Sequence, residues 1–150
     1  MKGELAMQLG KEKIFNKSFE GRNDVIKWDV IEINNEQLLE IRFISKNSKN
    51  RQGIRLAIDV GEGYIEINGI SNKGMELWQD TAPKEVICKC CSSEGLLSIY
   101  NIWDKGKGRQ SQLLTSGMLV EEDENTYIYR CNDYGYETSF DKLIFSIEKL

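Results

Sequence analysis

Cys131-Asn132-Asp133-Tyr134-Gly135-Tyr136-Glu137-Thr138-Ser139-Phe140-Asp141 runs into Lys142-Leu143-Ile144-Phe145-Ser146-Ile147-Glu148-Lys149-Leu150, a polar, glycine-bearing loop feeding an alternating strand. Leu143, Phe145 and Ile147 fall at period two, the spacing that puts every second side chain on one face of a strand. The same period recurs upstream. Ile26, Trp28 and Val30 alternate with Lys27 and Asp29, which the pattern turns outward, and Leu39, Ile41 and Phe43 alternate with Glu40 and Arg42. Ile54, Leu56, Ile58 and Val60 follow, then Ile65 and Ile67, and then Leu97, Ile99, Asn101 and Trp103, where Asn101 interrupts an apolar row.

Turn chemistry separates these runs. Asn34-Asn35-Glu36, Gly61-Glu62-Gly63, Ser71-Asn72-Lys73-Gly74, Ser92-Ser93-Glu94-Gly95 and the acidic Glu121-Glu122-Asp123-Glu124-Asn125 are rich in residues that turn a chain. The spacing predicts an antiparallel hairpin from Val25–Ile33 and Leu39–Phe43, and a single strand over Tyr64–Ile70. Pro83, the only proline, holds the chain extended before a strand over Glu85–Cys91, and Gly117 reads as a bulge. Roughly ten short strands with no helical run predict an all-β, antiparallel two-sheet sandwich of jelly-roll type, with a closed barrel as the runner-up. One domain over residues 1–150, with 1–11 as a tail, accounts for the length.

Bulk chemistry narrows the functions. A net charge of -4 argues against general nucleic-acid binding, which depends on cations neutralising phosphates. The sequence has no histidine, so histidine-dependent hydrolysis and His-containing zinc sites are excluded. Cys88, Cys90, Cys91 and Cys131 are too few for a disulfide scaffold, and Cys88 and Cys90 share a strand face that Cys91 does not. They read as small buried hydrophobes. No stretch is apolar enough for a membrane span or a signal sequence, and the expected location is cytoplasmic.

The polar and aromatic residues at strand ends define the candidate site. Trp78, Asp80, Asn101, Trp103, Asn132 and Asp133, with Thr81, suit a small polar ligand or a saccharide, with aromatic faces stacking on sugar C–H groups and Asn and Asp reading hydroxyls. Core packing and turn capping are the ordinary roles of the same residues. Lys105-Gly106-Lys107-Gly108-Arg109 is a second candidate: glycine amides and the cations Lys105, Lys107 and Arg109 offer an anion or nucleotide site, with Lys46, Lys49 and Arg51 as helpers if their loop lies at the same end. The run Glu121–Glu124 suits a basic protein partner.

Asp133, Glu137 and Asp141 offer oxygen ligands for calcium, and the closing loop resembles the acidic strand entry of some secreted calcium-associated β domains. Ser139 stands where an acid is expected, and Lys142 opposes a dication, so no metal is assigned. More broadly, Leu77-Trp78-Gln79-Asp80, Tyr100-Asn101-Ile102-Trp103 and Phe140-Asp141-Lys142-Leu143-Ile144-Phe145 resemble small uncharacterised bacterial β-sandwich proteins over residues 75 to 150. That resemblance implies a bacterial or phage origin and carries no function. The expectation is a non-catalytic binding module without cofactor for a small molecule or glycan. The alternatives are a protein-interaction or inhibitor domain and a nucleotide or phosphate binder.

Overall fold

The computed structural model describes residues 9–135 and 137–150. Thirteen strands are present among them: β1 Ile14–Phe15, β2 Ile26–Glu32, β3 Gln37–Lys46, β4 Arg51–Ala57, β5 Gly63–Ile67, β6 Ile70–Asn72, β7 Gly74–Trp78, β8 Glu85–Ser92, β9 Leu96–Asp104, β10 Arg109–Gln110, β11 Gly117–Asp123, β12 Thr126–Asn132 and β13 Leu143–Lys149. Every pairing is antiparallel. No helix long and apolar enough to cross a membrane is present among the described residues.

The main path runs β6-β5-β8-β3-β13-β12-β11-β2-β9-β4-β7, with β1 added to β2 and β10 to β9. The hydrogen bonds therefore trace one continuous, barrel-like sheet, in which β2 joins the run from β6 to β11 to the run β9-β4-β7. The two ends of the path are chain neighbours, because β6 and β7 are separated only by Lys73. The barrel-like sheet is nearly closed there. A cleft of about 380 Å³ lined by Ile67, Leu77, Trp78, Pro83 and Val86 lies along the gap.

Its interior is filled by the period-two residues. Leu39, Ile41, Ile54, Leu56, Ile58, Ile65, Leu97, Ile99, Phe145 and Ile147 are all fully buried, and burying side chains of this size stabilises the fold by roughly 1.5–3 kcal/mol each. Tyr129 stacks on Phe145 with ring centroids 4.7 Å apart, tying β12 to β13.

Several local expectations need correction. β2 and β3 form no hairpin: β2 pairs with β9 and β11, and β3 pairs with β13 and β8. The inward phase of β2 also changes along its length, because Ile26 opposes Met118 on β11 while Asp29–Glu32 pair with β9. Asp29 is consequently buried, whereas the alternation turned it toward water. Tyr64–Ile70 is two strands, since Asn68 (φ 50°) and Gly69 (φ 80°) turn β5 back onto β6. Positive φ at both central residues is the signature of the two-residue turn that Asn-Gly favours. Gly117 is no bulge in its pairing with β12, which keeps register from Asn132 to Thr126; glycine stands there because φ is 145° and a Cβ would lie 2.4 Å from Val25 Cγ1.

Candidate functional site

Register brings three chain segments to one end of the barrel. Leu143 pairs with Lys46 and with Cys131, and Arg51 pairs with Asp104, so the β3–β4 loop, the start of the β9–β10 turn and the β12–β13 loop meet. Between them lies an open cleft of about 760 Å³, within the size range of small-ligand sites. Lys46, Lys49, Lys105 and Lys142 line it together with Asp133 and Glu137. Four cations against two carboxylates make the cleft lining positive in a chain of net charge -4.

Asp133 forms part of the cleft wall while only 3% exposed. It follows the last residue of β12, and its Oδ2 accepts from Gln52 Nε2 at 2.8 Å, Asn50 Nδ2 at 3.3 Å and Ser48 Oγ at 3.5 Å. Buried carboxylates need such partners. Ser48 Oγ also accepts from the Asn50 amide at 3.0 Å, which shapes the loop that delivers these donors. Asn47 Nδ2 donates to Asp141 Oδ2 at 2.8 Å and fastens the β3–β4 loop to the closing loop. Hydrogen bonds from Ser139 and Asn47, with the nearby Lys142 charge, hold the Asp141 carboxyl below its usual range. Lys105 Nζ donates to the Tyr134 carbonyl and sits 5.3 Å from the centre of its ring.

The six residues read as one ligand site do not share a surface. Trp103 is fully buried and its Nε1 donates to Gln110 Oε1 at 3.1 Å. Asn101 is buried and donates from Nδ2 to the Asn132 carbonyl at 3.1 Å; Asn132 is buried too, donating to the Thr115 carbonyl and accepting from the Ser139 amide. These three hold the loop end from inside. The reason is that β9 is covered on both faces, so Asn101 interrupts no solvent-facing row. Trp78 is half-buried beneath the Arg51 guanidinium, 4.3 Å from its ring, and Arg51 pairs with Asp80 at 2.9 Å. Trp78 lines the cleft at the barrel gap, not the one at the loop end. Of the six, Asp133 alone lines the loop-end cleft.

The Lys105–Arg109 loop is likewise divided. Lys105 reaches the cleft, as do the proposed helpers Lys46 and Lys49. Arg109 instead pairs with Glu76 at 2.6 Å and donates to Tyr100 Oη at 3.0 Å, and Lys107 is an exposed turn residue. The Gly106 and Gly108 amides both donate to Asp104 Oδ1, at 2.7 and 3.2 Å, so the chain's own carboxylate occupies the anion position that the glycines seemed to offer.

The closing-loop carboxylates do not converge: Asp133 faces Gln52, and Asp141 faces Asn47 and Ser139. Among the described residues no group of three or more His, Cys, Asp or Glu side chains is placed to hold a metal ion. The four cysteines are free and buried, with Cys88 and Cys90 Sγ atoms 4.0 Å apart on one face. Burial pushes the Cys131 thiol well up.

Gln52 was missed by the sequence reading. Extending the period-two row Ile54, Leu56, Ile58 back by one step reaches it, so the signal was present. Comparison of the chain with protein-family models, curated proteins and solved structures finds no match. The loop-end cleft therefore has to be read from its own chemistry.

Proposed function

We propose that the protein is a non-catalytic binding module for a small anionic ligand, held in the loop-end cleft. The observation that carries this is the convergence of Lys46, Lys49, Lys105 and Lys142 from three separate segments around one opening. Like charges placed together repel, so a fold that gathers them is stabilised by an anion that binds between them. This favours the phosphate or nucleotide reading over sugar stacking on tryptophan, because Trp103 is inaccessible and the Trp78 ring carries Arg51. The cytoplasmic setting stays part of the proposal, supported by four unpaired buried thiols. A jelly-roll-like flattening of the sheet into two layers belongs here as well: β2 pairs with β11 at one end and β9 at the other, as a strand crossing between layers would.

A ligand that binds only the folded chain at a hundred times its Kd adds about 2.7 kcal/mol, a rise in Tm of roughly 5 °C or more for a chain of this length. Phosphate monoesters are expected to give such a rise at low salt, and the Lys46→Glu, Lys49→Glu double variant to lose it. Failure of every anion to shift the wild-type Tm would dispose of the proposal.

A second reading, a protein-interaction surface, is favoured by the opposite end of the barrel, where Asp29, Glu32, Glu122 and Glu124 outnumber Lys13 and Lys149 around a cleft of about 250 Å³. Reversing Glu122 and Glu124 to lysine separates the two readings. It should weaken capture of a basic protein partner under the second and leave anion binding intact under the first.

A further inference from the structure

The loop-end cleft combines a positive rim with a negative wall, and that combination discriminates among anions. All three donors found on Asp133 reach Oδ2, which leaves Oδ1 without a donor among the described residues. Beside it, the fully buried Gln52 side chain spends its Nε2 on Asp133 and Ser48, while its Oε1 has no hydrogen-bond partner among the described residues. Of these two groups Asp133 lines the lysine cleft, so its Oδ1 is the acceptor within reach of a ligand there. A fully ionised phosphate brings no donor, and the Asp133 carboxylate repels it. An ammonium would satisfy Asp133 but would meet the four lysines. A hydroxyl supplies the donor without adding charge.

We infer that the cleft takes a phosphorylated polyol of the sugar-phosphate class, its phosphate held by Lys46, Lys49 and Lys142 and its hydroxyls donating to Asp133. This rests on the anion-binding reading of the same cleft. Asp133 is then the specificity residue, and the Gln52, Asn50 and Ser48 donors position it.

Titration calorimetry at low salt with three phosphate monoesters tests this: a hexose 6-phosphate carrying hydroxyls, phosphoethanolamine carrying an ammonium, and ethyl phosphate carrying neither. The hexose 6-phosphate is expected to bind about tenfold or more tighter than ethyl phosphate, the worth of one hydrogen bond to a charged acceptor. Asp133→Asn should erase that ratio while leaving the affinity for ethyl phosphate the same or tighter. The wild-type ratio decides the matter even if the variant folds poorly. Equal affinity for the hexose 6-phosphate and ethyl phosphate overturns the inference and leaves anion binding standing. Tightest binding of phosphoethanolamine overturns the assignment of hydroxyls. Binding of none of the three removes the anion site itself, and the inference with it.

Discussion

Asp29 is 1% exposed between Tyr129, whose hydroxyl donates to Oδ2 at 2.7 Å, and Lys13, whose ammonium lies 3.6 Å from Oδ1. Burial raises its carboxyl above the ordinary value, against the lowering pulls of Tyr129, Lys13 and the Val30 amide. The folded chain therefore holds this proton more tightly than the unfolded chain. Stability from this group is greatest below the ordinary carboxylate value near ~3.9 and is lost as pH rises through the folded value. Asp29→Asn is expected to remove that loss, so that its stability relative to wild type improves between pH 4 and pH 7 in denaturant titrations. A constant difference across that range would refute the assignment. Nothing in the sequence marked Asp29 as buried, because its neighbours Trp28 and Val30 made the opposite face look apolar. Trp103 shows the same limit. Its residue type suited both a core and a ligand platform, and only the coverage of β9 on both faces separates the two.

At the scale of elements, local signals located strands well and paired them less well. The acidic turn read at Glu121–Asn125 joins β11 to β12 as a hairpin through Glu124 and Asn125, and Glu124 takes φ 55° to make the turn. The β5–β6 hairpin carries an equally local signal in Asn68-Gly69. A Cβ added at Gly69 meets nothing within 4 Å, so substitution there tests backbone conformation alone. Gly69→Ala should cost about 1 kcal/mol, a fall of roughly 2–4 °C in Tm, through the positive φ. No change would mean that the turn tolerates another conformation. By contrast, β2 and β3 are joined by a short turn yet pair elsewhere, and β4 is followed by β5 but pairs with β9 and β7. A turn's composition says that the chain bends. It does not say which strand the chain will meet after bending, since that depends on which apolar faces close over one another.

Across the whole molecule, charge separates along the barrel axis. The lysine cleft lies where β12 ends and β13 begins, and the Glu32, Glu122 and Glu124 cleft lies at the other ends of those strands. Seven strand residues at about 3.3 Å each span ~23 Å, nearly three screening lengths of ~8 Å at physiological salt. The Glu122→Lys, Glu124→Lys variant is therefore expected to bind phosphate monoesters with wild-type affinity at 0.15 M salt, measured by calorimetry; a change beyond twofold would mean that the two ends are coupled. The net charge of -4 gave no hint of the positive cleft lining, because composition sums over a surface that the fold divides. Sequence by itself determined the strand character, the period-two core of Leu39, Ile54, Leu97 and Phe145, the all-β antiparallel class and the exclusion of histidine chemistry. These follow from alternation and from residue identity, which are local. The single curled sheet, the burial of Asp29, Asn101 and Trp103, and the meeting of Lys46, Lys49, Lys105 and Lys142 beside Asp133 were decided by tertiary structure. They depend on pairings such as Leu143 with Lys46 and Arg51 with Asp104, between residues far apart in the chain, whose register is fixed only when all the apolar faces share one interior.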